Sequence, residues 1–384
     1  MMAAIVAACV AAVANDGVYY VSGSMLVPVD ETDIRVTGEV LTIDIGDDYW
    51  ATVDVLYELY NGGNDKTVTM GFEADLPYED GVSPLNPKGI HPFIHNFTAT
   101  LNGERLSYTT GVVMLNDEGN ADMHPLDMTK WHYADNGLGN SNVAWDMVEG
   151  YITNGKDTIA NVACAYYFKA NIRKGVNNVH HTYRYRMSSS VSFLYGIPYK
   201  LEPITRWANR QVDDFTLRIT SKGLPVHFIV TGDDLNSGSF KVVRGKGKVR
   251  RHRGETFDGC TEVSLRRGTV EWKAMNFRPK GSVEVISADV LMEGLTFSPR
   301  AMMLDVTRQD FIDFYHRTPN NDAEMSALKN RIMRNMPYAR RGYVFNDKRL
   351  RDWFNRQWWY MADPEWEMST DDFTEQEMWM VFGD

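Results

Sequence analysis

A two-residue alternation of apolar side chains in the first part of the chain constrains the fold most strongly. In residues 51–60, ATVDVLYELY, every second residue from Ala51 to Leu59 is apolar. Because successive side chains of a strand point to opposite faces, this period is typical of a half-buried β-strand. Residues 61–64, NGGN, form a predicted turn, since glycine and asparagine tolerate positive φ, and the alternation resumes at Val68. The pattern predicts an antiparallel meander.

A hairpin signal extends this β-pattern. Asn102 and Gly103 stand between two apolar runs, and this dipeptide favours the tight turn that joins antiparallel strands. No helical period appears before residue 115. We therefore predict a β-sandwich-like domain over residues 15–115.

A second β-rich domain is predicted over residues 116–300. Its first part, residues 116–150, is rich in Asp, Asn, Gly and Met and is longer than an ordinary connection. We expect this long polar loop either to cap an edge of the sandwich or to bind a ligand, and we favour the capping role. From residue 158, short strand patterns separated by Gly, Asn and Pro turns resume, which is typical of a second sandwich.

The periodicity changes to that of helices after residue 299. Thr307 and Asp310 have the spacing of a helix start, and Asn321 followed by Glu324 predicts a capping box for a second helix. Pro337 removes a backbone donor inside this second helix. We therefore expect a kink or a restart near residue 335.

The predicted fold class is mainly β with a C-terminal α module. Two antiparallel β-sandwich-like domains, over residues 15–115 and 116–300, are followed by a small helical domain over residues 321–384. A chain of 384 residues with 43% hydrophobic residues can supply cores for two or three such domains.

The first 14 residues are almost wholly apolar and small, which predicts an export signal over residues 1–14. Ala12 and Ala14 flank Val13 as signal peptidase prefers, with cleavage before Asn15. The run is short and lacks a positively charged start, so we expect the signal to be truncated. A buried first strand is the alternative. We favour cleavage over a lipid anchor at Cys9, because the residues after Cys9 stay apolar. No later segment has the length of apolar sequence that a transmembrane helix requires.

Two cysteines remain after removal of such a signal. In an exported protein, Cys164 and Cys260 could form one disulfide bridge, or they could stay as two buried thiols. The sequence does not give the distance between them, so both alternatives stay open.

Charge and motifs exclude several functions. The formal net charge of −11 argues against a nucleic-acid-binding protein. His91 and His95 are separated by Pro92 in a strand pattern, and the adjacent His180 and His181 point to opposite faces of a strand, so neither pair predicts a metal site. No nucleophile or phosphate-loop motif occurs. We predict no catalytic residue, no metal and no cofactor.

One segment, residues 241–253 (KVVRGKGKVRRHR), is strongly basic in an otherwise acidic chain. It could bind an anionic envelope polymer by Coulomb attraction. We favour the alternative that its lysines and arginines protect an exposed edge strand from pairing with another chain.

The C-terminal region carries a recognisable motif. It resembles the YARHG domain, a small module of presumed extracellular bacterial proteins, through the residues Tyr338, Ala339, Arg340, Arg341 and Gly342, followed by Tyr343, Phe345, Leu350, Phe354, Trp359 and Tyr360. Arg341 stands where the family usually has histidine, and Pro337 is a second departure. The resemblance implies export and a compact helical fold. More loosely, residues 15–295 resemble uncharacterised secreted bacterial β-rich proteins.

The aromatic and arginine residues of this region offer a candidate binding surface. A module this small must bury most of its aromatic side chains to form a core. Trp, Tyr and Arg also dominate binding energy at interfaces. The candidate binding residues are Arg340, Arg341, Trp358, Trp359 and Tyr360.

The last 22 residues add a constraint. Residues 363–384 are acidic and contain no Lys or Arg, whereas the preceding helices are basic. Thr374 and Glu377 have capping-box spacing for a final helix. We predict that this tail folds back onto the basic helices.

Two functions remain open from the sequence. The first is an exported, non-enzymatic cell-envelope or surface protein, periplasmic or extracellular, whose C-terminal module binds a glycan, a cell-wall component or a protein. The alternative is a hydrolase that acts on an envelope polymer, with a site in residues 116–150 that uses His124 or His132.

Overall fold

The computed structural model describes residues 23–115, 121–133, 152–287 and 306–383, with short gaps inside these ranges. The gaps lie at residues 26, 30–32, 47–48, 76–85, 87, 155, 160–161, 191–192, 224, 233, 236–238, 254–256 and 374. The predicted export signal with Cys9, residues 134–150 of the long polar loop, and Thr374 therefore lie outside the described residues.

The chain is mainly β with a C-terminal helical part, as the sequence predicted, and within the described residues the α-helices begin at residue 308. The strands of the first part are β1 (Gly23–Ser24), β2 (Val27–Pro28), β3 (Arg35–Ile45), β4 (Trp50–Asn61), β5 (Lys66–Asp75), β6 (Ile94–Leu101), β7 (Glu104–Leu106), β8 (Tyr108–Leu115), β9 (Ala121–Asp122), β10 (His132–Tyr133), β11 (Ile152–Thr153) and β12 (Thr158–Ile159). The strands of the second part are β13 (Val162–Ile172), β14 (Gly175–Arg186), β15 (Ser188–Ser190), β16 (Phe193–Lys200), β17 (Val212–Ser221), β18 (Val226–Thr231), β19 (Lys241–Arg251), β20 (Thr261–Phe277) and β21 (Ser282–Ser287). The helices are a 3-10 turn (Glu202–Arg206), α1 (Arg308–Tyr315), α2 (Asp322–Arg340), α3 (Lys348–Arg356) and α4 (Glu375–Phe382).

Strand pairing builds two layers that share one long strand. The first layer runs β7–β6–β14–β4–β3–β17–β20. The second runs β9–β8–β13–β5–β1–β16–β21–β18–β20. The first half of β20 pairs with β18 and its second half with β17, so β20 joins the layers. Most pairs are antiparallel, while β3–β17 and β1–β16 are parallel. Strands β10 to β12 form a separate small sheet.

The expected boundary near residue 115 does not coincide with a break in strand pairing. Strand β3 pairs with β17, β4 with β14, and β5 with β13, so both layers contain strands from both sides of that position. Alternation identifies the face that each strand buries, but it does not identify the neighbour with which the strand pairs. The two β regions therefore share one core.

The core lies between the two layers, and the alternation that predicted it is confirmed. In β4, every second residue from Ala51 to Asn61 is buried. Across the layers, the ring of Phe72 on β5 lies 4.7 Å from that of Tyr183 on β14 and 5.8 Å from that of Phe97 on β6. At the predicted hairpin between β6 and β7, Asn102 and Gly103 adopt φ of 51° and 87°, which the primed turns require.

One carboxyl group is buried in this core. Glu39 on β3 is only 1% exposed, and Tyr57 on β4 lies beside it. Desolvation raises the pKa of Glu39 well above its usual value.

The helical module begins with the predicted caps. Thr307 and Asp310 form a complete capping box at α1. Asn321 caps α2 by accepting a hydrogen bond from the Glu324 backbone N–H at 3.0 Å. The Glu324 carboxylate departs from the predicted box, because it binds the Asn320 N–H and Arg317 instead.

The end of α2 differs in part from expectation. The helix runs through Pro337 without a restart, and Pro337 is buried in the module core, where packing supports the interrupted ladder. Gly342 follows with φ of 93°, the left-handed conformation of a C-terminal cap. The Gly342 N–H donates to Ala339 and the Tyr343 N–H to Tyr338, which is the Schellman pattern. Within the described residues, no helix is both long enough and apolar enough to cross a bilayer.

Candidate functional site at the seam between strands and helices

Strand β19, which contains the basic segment, carries the helical module. Among the described strands it pairs only with β20, so it lies at an edge. The Lys248 ammonium donates to the Tyr360 carbonyl at 2.8 Å, and Lys246 lies 3.6 Å from Asp363. The sequence favoured a charged, exposed edge. Strand β19 is mostly exposed, and the structure shows in addition that the module contacts alternate side chains on one of its faces, which the segment's charge alone did not indicate.

At this seam, a buried carboxylate of the β-layers accepts a hydrogen bond from the module. Glu262 on β20 accepts hydrogen bonds from His227 at 2.8 Å, Arg250 at 2.7 and 3.0 Å, and His252 at 3.2 Å. The indole N–H of Trp358 from the module donates to the same carboxylate at 3.0 Å. The Arg250 guanidinium also lies 4.1 Å from the centre of the Trp358 ring, a cation–π contact. We call these five residues the Glu262 box.

The charge of the Glu262 box is fixed by its donors. The Glu262 side chain is only 4% exposed. Burial alone would raise the pKa of Glu262, but the hydrogen bonds from His227, Arg250 and His252 lower it to about 2. Glu262 is therefore an anion at neutral pH, and Trp358 binds an acceptor that is already charged.

A second contact explains the glycine of the YARHG-like motif. The Arg266 side chain is 8% exposed and donates to the carbonyls of Arg341 at 3.1 Å and Met361 at 2.6 Å. Its other terminal nitrogen lies 3.0 Å from an Asp363 carboxylate oxygen. A Cβ on Gly342 would lie 1.7 Å from the Arg266 guanidinium. Glycine is therefore favoured at position 342 for two reasons. The backbone there has a positive φ, and Arg266 of the β-layers approaches too closely to leave room for a side chain.

The acidic tail returns to the module, as predicted. Arg341 is 5% exposed and binds both carboxylate oxygens of Glu377 on α4, at 3.0 and 2.8 Å. It also donates to the Asp372 carbonyl at 2.6 Å, and its guanidinium lies 4.4 Å from the ring centre of Phe373. The tail is thus held by a buried, bidentate ion pair.

A cleft of about 620 Å³ opens at this seam. The β-layers contribute Lys246, Arg266 and Arg267 to one wall. The module and its tail contribute the other wall, which is formed by Arg341, Asp363, Trp366, Asp371, Asp372 and Phe373. We call this space the seam cleft. It has charges of both signs and two aromatic rings, the kind of mixed lining that small-molecule sites show.

The five candidate binding residues lie at or beside the seam, and their side chains make contacts within the chain. Arg340 donates to the Pro225 carbonyl at 3.4 Å, and Arg341 holds the tail. Trp358 enters the Glu262 box, Trp359 packs against the module core, and the Tyr360 hydroxyl donates to a backbone carbonyl of the module at 2.7 Å. Of the five, only Arg341 lines the seam cleft.

Sequence reasoning missed most of the cleft. Arg266 and Arg267 lie on β20 in a segment without unusual composition. The composition around Asp371 and Asp372 predicts an acidic tail and does not indicate a wall of a cavity. Only the pairing of β19 with β20 and the docking of the module bring these residues together, and no local pattern encodes that.

The two cysteines do not form a disulfide with each other. Cys164 is buried on β13, and Cys260 is half-buried beside β20. Strand β13 pairs with β5 and β8, whereas β20, which Cys260 immediately precedes, pairs with β17, β18 and β19. A disulfide needs closely approaching Cα atoms, and the bridge considered from the sequence is not formed in this structure.

The histidines singled out in the sequence have separate environments. His91 is buried, and burial lowers its pKa to about 4, while His95 is exposed and packs against a tryptophan ring. His180 lies 3.1 Å from Asp54, and His181 points to the opposite face into the core, where burial lowers its pKa to about 3. No group of three or more His, Cys, Asp or Glu side chains suited to a metal occurs in the part of the chain that is described.

Both histidines proposed for a hydrolase lie in the described part of the long polar loop. His124 lies 2.7 Å from Asp122, two residues before it, and both side chains are mostly exposed. His132 lies on β10. The loop thus shows a local turn contact at His124.

The fold and the seam define a two-layer β protein with a C-terminal helical module docked on its edge strand. The YARHG domain model matches residues 315–381, which places this module in a domain family of extracytoplasmic bacterial proteins.

A solved structure shows a similar overall fold. The chain is similar to a crystal structure of a Legionella pneumophila protein whose name suggests nutrient binding, with 16% identity and a TM-score of 0.52 over 96% of this chain and 99% of that one. An M1 zinc metallopeptidase from Deinococcus radiodurans matches with 9% identity and a TM-score of 0.23 over 74% of this chain and 54% of that one, which is too low to support an argument. None of the curated proteins matches this chain.

Proposed function

We propose that the protein is an exported, non-enzymatic binding protein of the bacterial cell envelope that holds its ligand in the seam cleft. The observation that carries this proposal is the cleft itself, about 620 Å³ with charges of both signs on facing walls. A space of this size suits a small molecule or one unit of a larger polymer. This role keeps the envelope-binding function expected from the sequence and moves the site from the module surface to the seam.

The module supports the location and the style of binding. YARHG domains occur in extracytoplasmic bacterial proteins, so a periplasmic or surface location agrees with the export signal predicted over residues 1–14. The Legionella protein of similar fold has a name that suggests nutrient binding. A cleft whose two walls come from different parts of the chain can also respond to its ligand, because a bound molecule would contact both walls.

The hydrolase alternative has less support. Asp122 and His124 form an exposed pair within one turn, and this contact resembles local turn chemistry more than a site shielded from water. The seam cleft offers a space of about 620 Å³ lined by charged side chains, and we place the function there.

Retention of envelope material tests this proposal. The mature protein from Asn15 onward is immobilised and incubated with isolated cell-wall, glycan and low-molecular-mass periplasmic fractions, and the retained material is identified by mass spectrometry. Arg267→Glu reverses an exposed charge in the cleft, and Arg105→Glu makes the same change on the exposed β6–β7 hairpin as a matched control.

The expected result is retention of one fraction by wild type and by Arg105→Glu, with clear loss in Arg267→Glu. Equal retention by the two variants would place binding elsewhere. Retention of none of the fractions would contradict a binding role for the cleft.

A further inference from the structure

The seam cleft has cationic side chains on its β wall and carboxylates on the wall of the module and tail, where the lining arginine, Arg341, is already paired with Glu377. On the β wall, Lys246 and Arg266 both lie near Asp363, at 3.6 and 3.0 Å, and so are already neutralised in part. Arg267, the next residue on β20, is exposed and lines the same cleft. Within the described residues, its guanidinium has no hydrogen-bond or ion-pair partner.

The tail supplies the complementary charge. Asp371 and Asp372 line the cleft and are exposed. The Asp372 carbonyl accepts a hydrogen bond from Arg341, and the Asp371 N–H is held by Ser369, so this backbone is fixed while both carboxylates face no partner among the described residues. The tail carboxylates and Arg267 thus share one cavity without forming an ion pair with each other.

Aromatic rings lie on the same wall as the tail carboxylates. Trp366 is half-buried and packs against Tyr343, with ring centres 6.0 Å apart. Phe373 is held between Tyr338 and the Arg341 guanidinium. Both rings line the cleft, so an apolar group can be covered beside the carboxylates.

We infer, on the basis of the proposed function, that the ligand of the seam cleft is a small zwitterion, an amino acid or a short peptide. Its carboxylate binds Arg267, its ammonium group binds Asp371 and Asp372, and its side chain packs on Trp366. A guanidinium binds a carboxylate through two parallel hydrogen bonds, and a carboxylate pair binds an ammonium group.

Ligands of a single charge fit this cleft less well. An anion attracted by Arg267 would meet the like charges of Asp371 and Asp372, and a cation drawn to those carboxylates would meet Arg267 and Lys246. A molecule with opposite charges at its two ends satisfies both walls. Because it would connect β20 to the tail, its binding would also stabilise the docked module.

Calorimetric titration of the full mature chain tests the inference. The probes are L-phenylalanine, L-alanyl-L-phenylalanine and L-alanyl-L-alanyl-L-phenylalanine, whose differing lengths distinguish a free amino acid from a peptide. The tightest of them is then compared with its N-acetylated and C-amidated forms, each of which lacks one charge. We expect each blocked form to bind about tenfold or more weakly, the loss typical of one hydrogen bond to a charged group.

Variants test which cleft residues bind the carboxylate and which bind the ammonium group of the ligand. In Arg267→Gln the free acid and the amide should bind equally, because the partner of the carboxylate is gone. In Asp371→Asn with Asp372→Asn the free amine and its acetylated form should bind equally. Arg105→Gln and Asp214→Asn change exposed residues outside the cleft and should preserve both differences. All of these substitutions are at exposed positions, so folding should persist.

Binding of the amide as tightly as the free acid to wild type would overturn the inference, and so would binding of none of the three probes. If none of the three probes binds while retention of envelope material still depends on Arg267, the inferred zwitterionic ligand is wrong and the proposed binding site stands. If neither probe binding nor envelope retention depends on Arg267, both the proposed site and the inferred ligand are wrong.

Discussion

Trp358 of the helical module donates its indole N–H to the buried carboxylate of Glu262 on β20, at 3.0 Å. This contact joins the two parts of the chain, because Glu262 is already held by His227, Arg250 and His252 from the strands. A charged acceptor fixed before the module docks gives a strong and directional bond. The seam cleft exists because this contact and those of Arg266 hold the module against the β-layers.

Substitution of Trp358 should loosen the seam. Trp358→Phe keeps a ring beside Arg250 but removes the donor to Glu262. We expect a loss of about 2 kcal/mol in the free energy of unfolding, the typical contribution of a hydrogen bond to a charged group. Urea denaturation of the full chain measures it, in a double-mutant cycle with Glu262→Gln. Additive effects of the two changes would show that they do not interact.

The role of Gly342 in docking can be separated from its backbone conformation. Gly342 and Gly175 share φ of 93°, but a Cβ on Gly175 meets nothing within 4 Å, whereas on Gly342 it would meet Arg266 at 1.7 Å. Gly175→Ala should cost about 1–3 kcal/mol for backbone strain alone. Gly342→Ala should cost about 2 kcal/mol more, because Arg266 loses two carbonyl acceptors. Thermal unfolding measures the stability of the two variants. Equal losses of stability in Gly175→Ala and Gly342→Ala would contradict a close contact at Gly342.

The buried pair between Arg341 and Glu377 should anchor the tail. Arg341→Met leaves Glu377 buried without its partner, and we expect a loss of about 3–5 kcal/mol. Hydrogen exchange of α4 should rise in this variant, and the added change Glu377→Met should restore much of the stability. The control is Lys348→Met, which removes an exposed pair with Asp352 and should cost at most about 1 kcal/mol. Unchanged exchange of α4 would contradict the anchoring role.

Glu39 should make stability fall as the pH rises. Its folded-state pKa is raised by burial, so the neutral form stabilises the fold at low pH, and that stability is lost as the pH rises above the ordinary pKa of the carboxyl group and toward the folded-state value. Glu39→Gln should therefore be more resistant to urea than wild type at about pH 8, with the difference shrinking toward about pH 5. Glu104→Gln, on an exposed hairpin, is the control. A pH profile unchanged by Glu39→Gln would contradict this assignment.

Features encoded in short stretches were predictable from the sequence. The alternation around Ala51 gave strands with the correct buried face, and Asn102 with Gly103 gave a hairpin. Helix caps at Thr307 and Asn321 were also predicted, because capping depends on residues within one turn. The docking of the tail followed from opposite charges on neighbouring segments.

Long-range relationships were not predictable in the same way. The parallel pairing of β3 with β17 joins strands far apart in the sequence, and it merges two expected domains into shared layers. Glu262 stands in β20 without a local motif, and nothing near it indicates a tryptophan donor from the module. The seam cleft depends on both of these relationships, so the five candidate binding residues from the sequence all lie in the module and include only one residue of the cleft, Arg341.

Arginine labelling of the intact protein tests the central claim most directly. Arg266 and Arg267 are sequence neighbours on β20, but the docked module buries Arg266 to 8% exposure while Arg267 remains open to the cleft. Phenylglyoxal modification followed by mass spectrometry should label Arg267 much faster than Arg266. Trp358→Phe should reduce the difference between the labelling rates of Arg266 and Arg267. Equal labelling of the two arginines in wild type would contradict docking of the module and, with it, the existence of the seam cleft.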